Sequence, residues 1–178
     1  MDKIMDTKLQ TLIDRQECTD LAAIYCRALD RLDAKLLRSV YFDDAIESRG
    51  FYEGGPDGFV EFAMKVLRDH DANQHMLGQS LIEVEDDIAY GEHYFIAFHR
   101  TTAKNGDKED LWIGGRYIDR YEKRNDIWKI AFRSEVNDWT STKPSADRFF
   151  FMLNPTSLRG GRGDNDMINQ PEKYRKIT

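Results

Sequence analysis

The chain has 178 residues, 40% of them hydrophobic, a length that suits one domain with a single core. Its 26 basic and 32 acidic residues give a net charge of -6 without a basic cluster, which argues against nucleic acid as a partner. No run approaches the roughly 18 apolar residues of a membrane span and no signal peptide opens the chain, so we expect a cytoplasmic protein without membrane contact.

A long first helix is predicted over residues 7–30. Thr7 with Gln10 resembles a capping box, and apolar residues then recur three and four positions apart. Cys18 and Cys26 fall on this helix with their Cα atoms about 12 Å apart, beyond the roughly 7 Å that a disulfide allows. We expect both to be free thiols.

Two shorter helices are predicted next. Asp33 can cap a second helix that ends near Asp43, and a short strand is compatible with residues 44–48. Pro56 can open a third helix with an apolar stripe. Asp30 falls at the C-terminal end of the first helix, where the helix dipole disfavours a carboxylate, so its presence there needs a local reason.

After His70 the sequence becomes rich in β-branched and aromatic residues, which predicts strands. Four runs form two antiparallel hairpins: 74–84 with 88–102, and 110–123 with 127–139. Helices followed by a strand meander predict an α+β domain whose helices cover one face of a curved sheet. Apolar residues on both sides of the third strand call for a second cover, most simply another copy of the protein.

The periodic pattern ends near Ser141, where prolines and glycines become frequent. The run Phe149-Phe150-Phe151 is costly to leave in water, so we expect it to dock on the domain or on a neighbouring protomer. The last residues are expected to stay loose. This divides the chain into a domain over residues 1–140 and a C-terminal extension over 141–178.

The histidines show no metal-binding spacing. His93 and His99 share a predicted strand but lie roughly 20 Å apart, too far to hold one ion, so we expect no metal. His70, at a helix end, suits a solvated capping residue. His75 opens the first long strand, and by itself it is compatible with a structural, hydrogen-bonded histidine as well as with a functional one.

Five segments resemble the SnoaL-like branch of the NTF2-like superfamily, over roughly residues 10–140. They are YCRALD at 25–30, QH at 74–75, GGRYIDRYE at 114–122, WKIAFR at 128–133 and DW at 138–139. The branch includes dehydrohalogenating, dehydrating and isomerising enzymes. The resemblance implies an NTF2-like cone, with N-terminal helices packed on a curved, mostly antiparallel sheet that encloses a pocket.

The resemblance also implies site residues. Asp30 and His75 match the Asp-His dyad of the family, and Tyr25 and Arg133 match a pocket tyrosine and arginine. An imidazole can take a proton, while a carboxylate on its other nitrogen fixes the tautomer and stabilises the cation. Tyr25 and Arg133 could hold the negative charge that results. The position of Tyr25 is equally typical of a core aromatic. Simple strand alternation favours an Arg133 that points outward with Lys129 as a solvated or ion-paired side chain.

Four further residues are expected in the pocket wall, although their aromatic character suits core packing equally well: Tyr94, Phe98, His99 and Trp112. Such walls favour an apolar cyclic small molecule. We therefore predict a cofactor-independent lyase, of dehydratase or dehydrohalogenase type, or an isomerase. The alternative is a non-catalytic ligand-binding or assembly module, like the β subunit of a ring-hydroxylating dioxygenase, which has no need of the dyad in an open cavity.

Because the predicted strands carry apolar residues on both faces, we predict a symmetric homo-oligomer, a trimer in preference to a dimer. We expect its interface to use the strands between residues 90 and 139, with the 145–160 segment packed on the same or a neighbouring protomer.

Overall fold

The computed structural model describes residues 3–146 and 150–175. The N-terminal part alternates helices with two short strands: α1 Lys3–Arg31, α2 Ala34–Ser39, β1 Tyr41–Ser48, β2 Glu53–Gly54 and α3 Pro56–Arg68. Four long strands follow: β3 Ala72–Glu85, β4 Ile88–Thr102, β5 Lys108–Arg124 and β6 Ile127–Pro144. The C-terminal extension holds a short helix, α4 Phe150–Leu153, and three 3-10 turns at Gly163–Asn165, Met167–Asn169 and Pro171–Lys173.

The first helix begins earlier than predicted. Because α1 starts at Lys3, Thr7 lies inside the helix and its predicted role in a capping box is wrong. The Thr7 carbonyl instead accepts a hydrogen bond from Thr11 Oγ1 at 3.0 Å, four residues further on, as in a helix interior. Cys18 and Cys26 are buried free thiols, as predicted.

The second helix has the predicted cap but not the predicted end. Asp33 accepts a hydrogen bond from the Leu36 amide at 2.9 Å, which confirms it as the N-cap. The helix stops at Ser39 rather than near Asp43, because Tyr41 already pairs with Ile130 as the first residue of β1. The propensity of the short apolar run is thus overridden by pairing with a distant strand.

The sheet has six strands in the order β2-β1-β6-β5-β4-β3. All neighbours are antiparallel except β1 and β6, which run parallel. Bulges interrupt β3 between Leu77 and Ser80, and the β5–β6 pairing at two places, and such bulges bend a sheet. The predicted α+β class is confirmed: helices pack on the concave face of a curved sheet that does not close.

Both predicted hairpins are present. The turn between β5 and β6 places Asn125 and Asp126 at φ 52° and 59°, the left-handed pair that matches the twist of two-residue hairpins. Asp86 adopts φ 54° in the turn between β3 and β4. Tight connections hold the four long strands in register, and this register decides which side chains face the helices.

A close approach requires glycine at the middle of β5. A Cβ atom at Gly114 would lie 2.1 Å from the indole ring of Trp139, which packs over this position. At Gly115 a Cβ atom would meet the Val136 carbonyl oxygen at 2.3 Å. Gly114 therefore leaves space for the Trp139 ring on the convex face of the sheet, and Gly115 leaves space for the β6 backbone at its bulge.

The last strand, predicted over residues 127–139, continues in the structure to Pro144. Phe149 lies outside the described residues, as do the side chains of Phe150 and Phe151, so the docking of this run stays a prediction. None of the helices in the described ranges has the length and apolar character needed to cross a membrane.

Candidate active site

The Asp30 carboxylate and the His75 imidazole meet where α1 ends and β3 begins. His75 Nδ1 lies 2.7 Å from Asp30 Oδ1, so the predicted contact is present. The backbone N–H of His75 donates to the same carboxylate, 3.0 Å from each oxygen. Because an ionised carboxylate only accepts hydrogen bonds, Nδ1 carries the proton and Nε2 keeps a lone pair. The backbone contacts supply the local reason for a carboxylate at this helix end.

The dyad borders an open cavity of about 390 Å³. Cys26 and Leu77 form apolar wall beside it, and Asp166 and Ile168 of the extension complete the rim. Burial raises the pKa of the Cys26 thiol to about 12, so the thiol stays protonated and acts as wall rather than nucleophile.

The C-terminal extension is tied to α1 beside this cavity. Arg31 Nη1 donates to the Gly161 carbonyl at 3.0 Å and lies 3.3 Å from the Asp166 carboxylate. Arg27 donates to the Asn169 side chain at 3.2 Å. These contacts come from the outward side of the same helix that carries Asp30, so the extension forms one wall of the cavity.

His99, predicted as a wall residue, is buried beside His75 and is not among the residues that line this cavity. Its ring centre is 5.2 Å from that of His75, and its Nδ1 is 2.9 Å from Asn73 Oδ1. Burial, with His75 and His70 nearby, lowers the pKa of His99 to about 3, so the ring is neutral. His70 is not the solvated cap that was predicted, because it is half-buried and its Nδ1 lies 2.8 Å from the same Asn73 oxygen.

The structure does not bring Tyr94, Phe98 or Trp112 together with His75. His75 pairs with Ala97 across β3 and β4, so the side chains at the next position of β4, Phe98, and at Tyr94 point to the opposite face. Trp112 pairs with Phe98 and their rings are 5.0 Å apart. All three belong to the convex face of the sheet.

Tyr25 is fully buried beside Arg133 in the core. Its hydroxyl hydrogen-bonds with the Arg49 guanidinium, and its ring stacks on Phe59 with centres 6.2 Å apart. The guanidinium carbon of Arg133 lies 4.1 Å from the centre of the Tyr25 ring. Tyr25 and Arg133 therefore form one cluster, deeper than the residues that line the open cavity.

Arg133 points inward, against simple strand alternation. On β5 and β6, Arg120 pairs with Phe132 and Tyr121 pairs with Ile130. Ala131 is therefore an extra residue, and beyond it the side chains of β6 change faces. The outward alternative for Arg133 is therefore wrong. Its side chain is fully buried and makes a bidentate pair with Asp119, Nε at 2.7 Å and Nη2 at 2.6 Å. Burial alone would lower the pKa of Arg133, but Asp119 holds it well above its ordinary value.

Sequence reasoning missed the partners of this cluster. Asp119 had a signal: it shares one face of β5 with Tyr117 and Tyr121, and an acid on an aromatic face must be paired when buried. Arg49 had no such signal, since it lies just after β1, outside the regular elements. It nevertheless donates to Glu47 at 3.0 Å and pairs with Glu135. Among the residues that the structure describes, no cluster of three or more ligating side chains could hold a metal ion.

Three solved structures illustrate the fold. A type 2 hexachlorocyclohexane dehydrochlorinase is 22% identical, with 80% of this chain and 96% of that chain covered and a TM-score of 0.69. The type 3 enzyme from Novosphingobium barchaimii LL02 is 21% identical, covering 80% and 97% at a TM-score of 0.67. A candidate scytalone dehydratase from Novosphingobium aromaticivorans DSM 12444 is 18% identical, covering 79% and 97% at 0.65. At these identities the likeness establishes the fold.

No curated protein matches the chain. The sequence profile of the SnoaL-like domain, in contrast, matches residues 10–134, which include most of α1, all of α2 and α3, the dyad and Arg133. The chain therefore belongs to the SnoaL-like domain family.

Proposed function

We propose that the protein is a lyase or isomerase that removes a proton from a carbon atom of a small cyclic molecule. His75 acts as the base and Asp30 orients it. The observation that carries this proposal is the 2.7 Å contact between the two side chains at the edge of an open cavity. The dehydrochlorinase and dehydratase names among the structural neighbours support the reaction class.

The dyad suits proton abstraction in its geometry. With Nδ1–H donated to Asp30, the lone pair of His75 Nε2 takes the proton as the C–H bond breaks. The electrons of that bond form a new double bond, and the leaving group departs with its own bonding pair as hydroxide or halide. Asp30 stabilises the imidazolium until the proton passes to solvent or, in an isomerisation, to another carbon.

The cavity supports a small, largely apolar substrate. Its volume of about 390 Å³ falls within the range of small-molecule sites, roughly 300–1,000 Å³. Leu77, Cys26 and Ile168 contribute apolar wall, while the polar groups gather at the dyad. This distribution favours a ring system that is oriented by a few polar contacts. The rival function, a binding or assembly module, gives no reason for a base beside an open cavity.

The test is an elimination assay on cyclic β-hydroxyketones and chlorinated cyclohexanes, with loss of water or hydrogen chloride followed by mass spectrometry. We expect turnover by the wild type and a roughly 10²-fold or greater loss in His75→Gln and Asp30→Asn. His70→Gln, a histidine outside the cavity, serves as the matched control and should keep its activity. Activity retained by His75→Gln, or lost in step with melting temperature, would contradict the proposal.

A further inference from the structure

A second cavity, of about 570 Å³, lies at the edge of the sheet where β3 begins. Its lining comes from four parts of the chain: Asp30 and Arg31 at the end of α1, residues 71–74 of β3 and the turn before it, Phe98 and Arg100 on β4, and residues 159–162 of the extension. Asp30 and Arg31 also line the cavity at the dyad, so the two cavities are neighbours. Because β3 covers roughly 10 Å between Ala72 and His75, one small molecule can reach from the dyad into the second cavity.

The second cavity gathers arginine side chains. The described residues that line it include four arginines and two aspartates: Arg31, Arg100, Arg159 and Arg162, with Asp30 and Asp71. The planar fork of a guanidinium group matches the oxygens of a carboxylate or a phosphate in both geometry and charge. The excess of positive charge therefore favours an oxyanion as the ligand of this cavity.

The guanidinium group of Arg162 is oriented by neutral partners. Three other charges of the lining are matched by ion pairs: Arg100 with Asp110, Arg31 with Asp166, and Asp71 with Lys108. Arg162 donates instead to two backbone carbonyls, that of His70 at 2.7 Å and that of Arg68 at 3.5 Å. These oxygens hold the group in place without cancelling its charge. Since a guanidinium has five N–H donors, further donors can serve a ligand.

The segment that carries Arg162 is fixed in a tight turn. The Gly161 carbonyl accepts from Arg31 at 3.0 Å, and the Gly161 amide donates to Asp166 at 3.1 Å. A Cβ atom at Gly161 would lie 2.4 Å from the carbonyl oxygen of Asn165, so the close approach requires glycine. The arginine is thus positioned before a ligand arrives, which lowers the ordering cost of binding.

We propose that the second cavity binds an anionic group of the substrate, a carboxylate or a phosphate, through Arg162 and Arg159. The position of the ring of the same molecule at the dyad rests on the function proposed above. Asp30, which both cavities share, is engaged with His75 through three hydrogen bonds, and the imidazolium formed during proton transfer balances its charge. The substrate is then an apolar ring that carries an anionic chain several bonds long.

The first test is an NMR titration with three ligands that share a cyclohexyl ring: 4-cyclohexylbutanoate, 3-cyclohexylpropyl phosphate and the neutral 4-cyclohexylbutanamide. The wild type should bind at least one of the anions roughly 10-fold or more tightly than the amide, the value of a charge-assisted hydrogen bond. The anion that binds more tightly identifies the group as carboxylate or phosphate. Equal affinities for all three ligands, or tighter binding of the amide, would overturn the proposal.

The second test repeats the titration with arginine variants. Arg162→Gln and Arg159→Gln should each lose roughly 10-fold in affinity for the preferred anion and bind the amide as the wild type does. Arg175→Gln removes an exposed arginine of the same extension that does not line the cavity, and it should bind all three ligands as the wild type does.

Melting temperatures show whether a variant has loosened the extension. Because Arg162 also contacts the chain at the end of α3, the exposed Arg159 provides an independent variant if Arg162→Gln is destabilised. A selective loss of anion affinity in either variant supports the site. Unchanged anion affinity in both variants, or equal losses for the anion and the amide, would contradict it.

Binding and turnover separate the two proposals. His75→Gln should keep the anion preference of the wild type, because His75 does not line the second cavity. If the preference depends on the arginines but no proton is ever removed from carbon, the proposed function fails and the anion site stands. If turnover depends on His75 while both arginine variants bind the anions as tightly as the wild type, the anion site fails alone.

Discussion

At the scale of single residues, the interior of this protein combines charged groups with the partners that each of them needs. Asp14 accepts from Trp128 Nε1 at 2.8 Å and from Lys123 at 3.0 Å, and these bonds lower the pKa of its carboxyl although burial would raise it. Arg133 has Asp119 in the same way. Among the described residues, the buried Tyr117 hydroxyl has no hydrogen-bond partner, and such a group calls for an explanation.

Two buried histidines should make stability depend on pH. Burial lowers the pKa of His93 to about 4 and that of His99 to about 3. Between pH 6.5 and these values the unfolded chain binds protons that the native protein does not, so the free energy of unfolding falls as pH falls. Each histidine should contribute about 1.4 kcal/mol per pH unit within this window, and nothing further above it.

Urea unfolding at pH 7.5 and at pH 5 measures this effect. His93→Gln lacks one titrating ring but can still accept from Ser80 and donate to Tyr121, so its stability should fall less between the two conditions. Identical pH slopes for the wild type and His93→Gln would show that His93 is protonated in the native state.

The residues of the dyad could be predicted, whereas the direction of Arg133 and the partners of the cluster that Tyr25 and Arg133 form could not. Asp30 and His75 occur in short segments whose pattern resembles the family, and each lies at the end of an element, where a bulge does not change its direction. The direction of Arg133 depends on the extra residue Ala131, which local alternation cannot reveal. The same limit explains the placement of Tyr94, Phe98 and Trp112, since aromatic content does not show which face of a strand is covered.

At the scale of elements, α1 is fixed to the sheet at two distant points. Asp14 bonds to Trp128 on β6 and Lys123 on β5, and Asp30 bonds to His75 on β3. Sixteen helical residues separate the two anchors, about 24 Å along the axis. The N-terminal anchor therefore helps to set the position of the dyad at the other end of the helix.

Asp14→Ala should lower the free energy of unfolding by about 2 kcal/mol, because it leaves the buried indole N–H of Trp128 without an acceptor. Asp20→Ala is the matched control: its exposed carboxylate, on the same helix, accepts from exposed Gln16 at 2.7 Å, and its loss should be near neutral. Chemical denaturation of both variants measures the difference. Equal effects would mean that the anchor contributes nothing beyond helix propensity.

Helices and strands with a long periodic pattern of apolar residues were predicted well. Elements whose bounds depend on pairing with a distant strand were predicted poorly. All four long strands and the third helix follow from local patterns. The start of β1 at Tyr41 does not, because it depends on a parallel partner, β6, almost ninety positions later in the chain.

At the scale of the whole molecule, the convex face of the sheet is apolar and exposed in the part of the chain that the structure describes. It exposes large side chains from β3 to β6: Met76, Tyr94, Ile96, Trp112 and Trp139. Soluble monomers rarely leave such a patch in water. A second copy of the chain would bury it, as the two-sided strands led us to expect.

We predict a symmetric homo-oligomer, a trimer in preference to a dimer, with well over roughly 1,000 Å² buried at the interface. Ile96→Glu on the convex face should dissociate it. Val66→Glu on α3 should not, although Val66 is 41% exposed and Ile96 39%. Size-exclusion chromatography coupled to light scattering measures the mass of both variants. A mass of one chain for the wild type at micromolar concentration would refute the assembly.

Deuterium uptake from heavy water tests the central claim most directly, that His75 oriented by Asp30 removes a proton from carbon. With 1-tetralone as the probe, NMR follows exchange at the carbon next to the carbonyl. The wild type should catalyse exchange, and His75→Gln should reduce it by roughly 10²-fold or more at an unchanged melting temperature. Exchange at the same rate in both proteins, or only at the rate of buffer, would contradict the account.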